Sequence, residues 1–173
     1  MLEAAAFLGA LNEQDTEWLV ANSKQHQILS GSVLIRRKEP VEFLYLIVDG
    51  AFEISVSHPT DRHIATLYAG ELVGEMSFVD LHPPSATVTA GVNSSVLAIT
   101  KTALTGKIEN DNGFGTRFFK GISILLAGRL RAAYAVDPRE RAEDERKIEM
   151  GQLTMRFEEV QRHLGLRRFA TGT

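Results

Sequence analysis

Residues 70–88 read GELVGEMSFVDLHPPSATV, and this glycine-rich stretch carries more information about the fold than any other part of the chain. Two glycines stand four residues apart, a glutamate follows the second, and a Pro-Pro pair precedes a run of small residues. Glycine permits positive φ angles and close backbone approach, so such a segment can turn main-chain N–H groups toward an anion. The stretch predicts an anion-binding loop, although GxxxGE also occurs in ordinary tight turns.

The residues on both sides of this stretch have the periodicity of short β-strands. Residues 52–57 alternate apolar and polar side chains, and the apolar run 43–48 predicts a strand buried on both faces. Asp49-Gly50 between them predicts a hairpin. Many short strands separated by turns predict an antiparallel barrel or sandwich. Further strands are expected at 33–35, 64–68, 86–90 and 96–99.

Helical spacing precedes and follows these strands. Residues 2–23 predict a helix in which Asn12 offers an internal cap, and Thr100 predicts the cap of a short helix that ends near Ile108. A long amphipathic helix is expected at about 113–135. Its apolar stripe requires a partner surface.

A last helix is expected in the C-terminal part of the chain. Asp137-Pro138 has the form of a helix start, with aspartate as the cap and proline at the first helical position. The segment 150–164 then repeats apolar residues with the spacing of a short coiled-coil seam, and Gly165 ends it. The mixed charges of 139–149 favour a solvated face over a binding site.

Composition excludes several classes of function. The chain has 173 residues, a formal net charge of −3 and no cysteine, so it has no disulfide, thiolate zinc site, iron–sulfur cluster or cysteine nucleophile. The five histidines lack metal-ligand spacing, and no metal site is expected. No nucleophile–base pair emerges, so we assign no catalytic residues and expect no enzyme. No apolar run is long enough to cross a bilayer, and a cytoplasmic protein without a membrane partner is expected.

Four segments together resemble the cyclic-nucleotide-binding domain of catabolite-activator-type regulators and of cyclic-nucleotide-dependent kinases and channels. The resemblance runs from about Phe7 to Tyr134. The segments are Gly31 to Ile35, Leu44 to Gly50, Gly70 with Gly74-Glu75-Met76, and Ser85 to Val88. It implies an α+β fold: an antiparallel β-barrel of the double-stranded β-helix or jelly-roll type, flanked by N-terminal helices and a long C-terminal helix, plus a helical extension. The implied domains are 1–135 and 136–173.

The resemblance also implies a ligand site in the form of a phosphate-binding cassette. Gly74 would donate its amide to a cyclic phosphate, Glu75 would accept a hydrogen bond from the ribose 2′-hydroxyl, and Ser85 with Ala86 would form the far side. As a helix-capping residue, Glu75 would need no ligand. The ligand-binding residues carried over are Gly74, Glu75, Met76, Ser77, Pro84, Ser85, Ala86 and Thr87.

The chain departs from the family at two positions of this region. Pro84 stands where an arginine normally pairs with the phosphate, and a proline side chain donates no hydrogen bond. His82 is a candidate substitute cation, although a lone loop histidine is more often a surface residue. Lys38 stands where the first hairpin usually carries glycine, which we interpret as structural drift. No cofactor is expected beyond a weakly bound cyclic nucleotide or another anion.

The same family places a dimer interface on the long helix. A homodimer is therefore predicted, with a further protein partner possible through the C-terminal helix. The chain after Asp137 is too short for the family's winged helix-turn-helix, and direct DNA binding is not expected. The predicted interface residues are Phe118, Ile122, Leu126, Leu130, Leu153 and Phe157.

Two functional classes follow. The first is a cyclic-nucleotide-binding-like regulatory module with weak or no cAMP or cGMP binding. The alternative is a ligand-independent dimeric interaction module, or a degenerate regulator of the catabolite-activator type without its own helix-turn-helix.

Overall fold

The computed structural model describes residues 7–57, 61–134, 158, 160–162 and 164. The strands are β1 (Lys24–Ile28), β2 (Val33–Ile35), β3 (Phe43–Asp49), β4 (Ala51–Ser57), β5 (Asp61–Tyr68), β6 (Leu72–Val73), β7 (Thr87–Ala90) and β8 (Ser94–Thr100). The helices are α1 (Glu13–Ala21), α2 (Glu75–Val79), α3 (Lys101–Asn110) and α4 (Asn112–Tyr134), and residues 7–10 are also helical.

The strands form two four-stranded antiparallel sheets. One sheet has the order β1-β8-β3-β6, and the other has the order β2-β7-β4-β5. A core of apolar side chains comes from both sheets, which confirms the predicted jelly-roll-type antiparallel arrangement flanked by helices. The core residues are Ile35, Ile47, Phe52, Leu67, Val73, Val88, Ala90 and Val96.

The turn at Asp49-Gly50 does not form the predicted hairpin. Strand β3 belongs to the first sheet and β4 to the second, so the turn carries the chain from one sheet to the other. Gly50 has φ 91°, and a Cβ at this position would overlap the Ser94 hydroxyl, which accepts a hydrogen bond from Ala51 N at 3.2 Å. The turn residues were right, but the strands they join are not paired. The hairpin is formed by β4 and β5, where Ser57 lies opposite Asp61.

Two strands were missed, and one was predicted with too much burial. Strand β1 has the sequence KQHQI with four exposed residues, so its apolar periodicity gives no signal. It forms because each of its residues pairs with β8. Strand β6 has only two residues. In β3, Leu44, Ile47 and Val48 are buried, while three other apolar residues are half-buried, so the strand is less enclosed than predicted.

Caps confirm two of the predicted helix starts. Asp15 N donates to Asn12 Oδ1 at 2.8 Å and Asn12 N donates to Asp15 Oδ2 at 2.9 Å, a reciprocal capping box that begins α1 and separates it from the helical residues 7–10. Ala103 N donates to Thr100 Oγ1 at 3.2 Å, so Thr100 caps α3 as predicted. The break between α3 and α4 is a single residue, Asp111, and is shorter than expected.

The chain divides into two compact units. Residues 22–111 form the β unit, and the helices before and after it belong to a helical unit. Within the helical unit, the Phe7 and Phe118 rings pack edge to face with centroids 5.4 Å apart, and Trp18 packs on Phe114 at the same centroid distance. Arg117 joins α4 to α1 through two hydrogen bonds to the buried carboxylate of Asp15, at 2.5 and 2.8 Å.

Part of the predicted dimer stripe is occupied by this chain's own helices. Phe118 and Ile122 are buried within the chain, and their place in a dimer interface stays a prediction. Leu126 is half-buried and Leu130 is 59% exposed. Leu153 and Phe157 lie outside the described residues, as do the helix start at Asp137 and the proposed boundary at 135/136.

Few residues beyond Tyr134 are described. Val160 is buried, and Leu164 N donates to Val160 O at 3.2 Å. Among the residues that the structure describes, no helix has both the length and the apolar character needed to cross a membrane.

Candidate ligand-binding site

The first half of the candidate site is the turn from β6 into α2. Gly74 has φ 91°, and a Cβ added there would lie 3.0 Å from Phe43 O and 3.6 Å from Ile35 Cδ1. Both the left-handed backbone and this close approach require glycine. The helix that follows has five residues, Glu75–Val79. The predicted position of Gly74 at a tight backbone approach is therefore what the structure has.

The side chains of α2 divide into buried and exposed ones. Glu75 is 3% exposed and Ser77 is 6% exposed, whereas Met76 is half exposed. The N-cap position of α2 is Gly74, and Glu75 is the first helical residue. The glutamate is thus enclosed in the β unit at the first helical position, and both of its predicted roles, ribose binding and helix capping, stay predictions.

The second half of the candidate site is the segment Pro84 to Thr87. Ser85 is exposed, and Pro84, Ala86 and Thr87 are half-buried. The loop after β2 lies against this segment: Lys38 N donates to Pro84 O at 2.9 Å, and Arg37 N donates to Thr87 Oγ1 at 3.2 Å. The other half of the site meets the strands on either side of this loop, because Gly74 approaches Ile35 at the end of β2 and Phe43 at the start of β3.

Lys38 has φ 65°, which places a non-glycine residue in the left-handed region. Glycine adopts this conformation readily, and Lys38 adopts it with a side chain present. For a residue with a side chain, the left-handed backbone conformation costs about 1–2 kcal/mol relative to the right-handed one. The hydrogen bond from Lys38 N to Pro84 O is part of what holds it.

His82 is turned toward α2. Its Nδ1 lies 2.8 Å from Asp80 O and 3.6 Å from Asp80 Oδ2, and its side chain is 80% exposed. The ring is thus hydrogen-bonded to the end of the preceding helix. Its use as a substitute cation stays a prediction, and the contacts of Arg37 identify a second basic side chain that the sequence interpretation passed over.

Arg37 Nε donates to Ser85 O at 3.0 Å, which brings a guanidinium directly to the exposed edge of the candidate site. The only sequence signal for this contact was the run Arg36-Arg37-Lys38 before the second turn, and nothing in its spacing indicates which of the three reaches Ser85. Arg36 instead forms an exposed ion pair with Glu39, with Nε and Oε1 3.4 Å apart.

Lys101, at the start of α3, is a second residue that sequence reasoning missed. Its Nζ donates to Ser77 O at 2.9 Å, and its backbone N donates to Glu42 O at 2.9 Å. Burial lowers the pKa of Lys101, and the nearby Asp80 carboxylate opposes part of that change. Lys101 thereby fixes α2 to the beginning of α3.

A cavity of about 420 Å³ lies beside β2 and the start of β3. It is lined by residues 33–36, 39–43 and 45, and its volume is in the range of small-molecule pockets. Burial raises the pKa of Tyr45, which lies on its wall. None of the described ligand-binding residues predicted from sequence lines this cavity, although Ile35 and Phe43 are shared with the surroundings of Gly74.

The family model of the cyclic nucleotide-binding domain matches residues 25–111, just over half of the chain. The chain belongs to this family. The matched residues span β1 to β8, α2 and α3, so both halves of the candidate site lie inside the cyclic nucleotide-binding domain. No curated protein matches the chain.

Solved structures share the fold at low sequence identity. A cyclic nucleotide-binding domain from Methylobacillus flagellatus KT is 21% identical with a TM-score of 0.69, over 76% of this chain and 79% of that one. The regulatory subunit of a cAMP-independent protein kinase A from Trypanosoma brucei is 20% identical with a TM-score of 0.56, over 78% and 45%.

A triple variant of the trypanosome subunit, with cAMP bound in its A site, also matches. It is 19% identical with a TM-score of 0.56, over 86% of this chain and 49% of that one, and one of its three substitutions replaces a threonine with arginine. These likenesses show the fold.

Proposed function

We propose that this cyclic nucleotide-binding-like regulatory domain acts by binding rather than by catalysis, and that it binds cAMP and cGMP weakly or not at all. The observation that carries the proposal is Pro84 at the position where the family resemblance implies a phosphate-pairing arginine. Loss of one partner of a buried, hydrogen-bonded charge pair costs about 2–5 kcal/mol. A Kd of 1 μM would then rise about thirtyfold to several thousandfold, to between about 30 μM and several millimolar.

The surroundings of Pro84 support a site that has lost its charge and kept its shape. Gly74 retains the positive φ and the close approach to Phe43 that only glycine permits, and Glu75 is buried beside it. Pro84 itself is fixed by the hydrogen bond that its carbonyl accepts from Lys38. Packing against Phe43 requires glycine at residue 74 whether or not a ligand binds. A binding experiment therefore decides between a domain that binds weakly and one that binds nothing.

The trypanosome proteins give this proposal a parallel within the same fold. One is described as cAMP-independent, and a triple variant that includes an introduced arginine is described with cAMP bound. The parallel supports the idea that a member of this fold can be independent of cAMP, and that a variant with three substitutions can hold cAMP.

In a thermal unfolding experiment, cAMP and cGMP at tens of micromolar should leave the melting temperature unchanged. A ligand at 100 times its Kd stabilises a native protein by about 2.7 kcal/mol, which for a chain of this size corresponds to a shift of about 5–10 °C. A cAMP-binding member of the family, measured in parallel, should show such a shift. An upward shift in this protein at the same concentration would contradict weak binding.

The alternative proposal is a ligand-independent interaction module that assembles as a homodimer through α4. Leu130 and Tyr134 support it, because they are 59% and 76% exposed near the end of that helix, one turn apart. A partner copy would remove their apolar surface from water.

Leu130→Glu should convert the dimer into a monomer, because a charge on the apolar contact would be desolvated without a partner. Analytical ultracentrifugation at micromolar concentration measures the change. Lys120→Glu, an exposed substitution on the same helix, is the control and should remain dimeric. If the unmutated protein sediments as a monomer, the α4 dimer is refuted.

A further inference from the structure

The cavity of about 420 Å³ beside β2 lies apart from the described residues that were predicted to bind a ligand, none of which lines it. Its walls are β2, the start of β3 and the connection between these two strands. Because β2 belongs to one sheet and β3 to the other, the cavity is formed between strands of different sheets. Ligand cavities begin at about 300 Å³, so its volume is sufficient for a small organic molecule.

The wall nearest the core is aliphatic and aromatic. Leu34, Val41 and Tyr45 pack against the core of the β unit, and Ile35 belongs to that core. The ring of Phe43 lies beside that of Tyr45, with centroids 5.9 Å apart and planes inclined by 39°. Such side chains remove the apolar body of a ligand from water, and the faces of aromatic rings also attract cations.

Three charged residues line the same cavity: Arg36, Glu39 and Glu42. Arg36 and Glu39 pair with each other, with Nε and Oε1 3.4 Å apart. In the part of the chain that the structure describes, the Glu42 carboxylate has no hydrogen bond or ion pair. Its backbone is held in place, because the Glu42 carbonyl accepts a hydrogen bond from Lys101 N at 2.9 Å. The lining thus has one carboxylate more than it has cations.

The other two basic residues of the connection, Arg37 and Lys38, do not line the cavity. Arg37 Nε donates to Ser85 O, and Lys38 N donates to Pro84 O. Both residues therefore contact the segment of the predicted phosphate cassette. Glu42 is the charged lining residue that a ligand meets without displacing a partner.

Tyr45 contributes an uncharged polar group to the wall. Its side chain is half-buried, and burial raises the pKa of its hydroxyl, so the phenol stays protonated at neutral pH. Among the described residues, this hydroxyl has no hydrogen-bond partner. Its oxygen is therefore available to accept a hydrogen bond from a donor in the cavity.

We propose that this cavity binds an organic ammonium ion with an aromatic or branched apolar body. The ammonium group is bound by Glu42 and the Tyr45 hydroxyl, and the apolar body lies against Phe43 and the aliphatic wall. The lining selects a cation, because an anion would have to compete with Glu39 for Arg36. The site is separate from the phosphate cassette and its ligand has the opposite charge, so the inference does not rest on the proposed function.

The experiment is an amide NMR titration of the full chain with benzylamine, benzyl alcohol and benzoate. The three compounds share one ring and are a cation, a neutral molecule and an anion at pH 7. Benzylamine should shift the amides of Glu42, Phe43 and Tyr45 with a Kd of about 1 mM, in keeping with its small size. Benzyl alcohol and benzoate should bind about fivefold more weakly or less tightly still, because neither pairs with a carboxylate.

Charge variants of the lining identify the group that selects the cation. Glu42→Gln keeps the size of the side chain, and it should weaken benzylamine binding about fivefold without changing the affinity for benzyl alcohol. Glu109→Gln, at an exposed position of α3 outside the cavity, is the matched control and should change the benzylamine affinity less than about twofold. The double variant Glu39→Gln/Glu42→Gln leaves Arg36 as the one charged residue of the lining, and it should bind benzoate more tightly than benzylamine.

Three results would overturn the inference. If none of the compounds shifts the amides of residues 42–45 at about 20 mM, the cavity is not a ligand site. If the unmutated protein binds benzoate or benzyl alcohol as tightly as benzylamine, the cavity does not select a cation. If Glu42→Gln and Glu109→Gln have the same affinity for benzylamine, Glu42 is not its counterion.

Discussion

Pro84→Arg should bind cAMP about thirtyfold to several thousandfold more tightly than the unmutated protein. This range corresponds to the roughly 2–5 kcal/mol associated with a buried charge pair. The substitution keeps the Pro84 carbonyl that accepts from Lys38, and it adds a guanidinium at the position where the family resemblance implies one. Gly74 and Glu75 are already in place, so only the charge has to be supplied. Removal of a proline also loosens the loop, which reduces the gain.

Isothermal calorimetry with cAMP and cGMP measures this gain. Pro84→Gln is the matched control, because it also removes the proline and adds a polar side chain but no charge. Glu75→Gln in the Pro84→Arg background should weaken binding again if the buried carboxylate accepts from the ribose. If Pro84→Arg keeps its circular dichroism and melting temperature and still gives no heat with either nucleotide, the pocket has been lost in other ways. The interaction module would then be the better proposal.

Arg117→Met should destabilise the helical unit by about 3 kcal/mol, because it leaves the Asp15 carboxylate buried without its cation. The lower end of the usual range applies, since the Arg117 side chain is 35% exposed. For a chain of this size the loss corresponds to a melting temperature about 6–12 °C lower.

Denaturant unfolding of Arg117→Met, of Asp15→Asn and of the double variant isolates the coupling between the two residues. The double variant should be more stable than the sum of the two single losses predicts, because it leaves neither charge unpaired. Lys120→Met, at an exposed position of α4, serves as the control and should change stability by less than about 0.5 kcal/mol. Additive losses from the two single variants would mean that the pair contributes nothing as a pair.

Local signals in the sequence were sufficient wherever the structure depends on neighbours along the chain. Thr100 and Asn12 cap helices through bonds to residues three positions away, and both were predicted. Gly74 was predicted at a close backbone approach from the spacing of two glycines and a glutamate. The family resemblance then supplied the antiparallel jelly-roll type of fold, and the two four-stranded sheets confirm it.

Features that depend on distant residues were missed. Strand β1 is polar and exists through its pairing with β8, about 70 residues away in sequence, which no local period encodes. Asp49-Gly50 has the composition of a hairpin turn, but the sheet assignment of its two strands is a property of the whole domain. Arg37 meets Ser85 across 48 positions of sequence.

The burial of the α4 stripe shows the same limit. Phe118 faces the ring of Phe7, and the helical period alone does not say whether an apolar face meets the same chain or a second copy. The sequence predicted that the stripe needs a partner, and the structure identifies the helical residues near the N-terminus as part of it.

Lys101 is a single residue that couples the positions of two helices, α2 and α3. Its ammonium group is bonded to Ser77 O in α2, while its own N–H is bonded to Glu42 O and its backbone begins α3. A shift of α2 by more than the tolerance of a hydrogen bond must either break the contact at Ser77 or pull on the first turn of α3. The five-residue helix and the ten-residue helix therefore cannot move independently without cost, and a force on the first reaches the second through a four-carbon side chain.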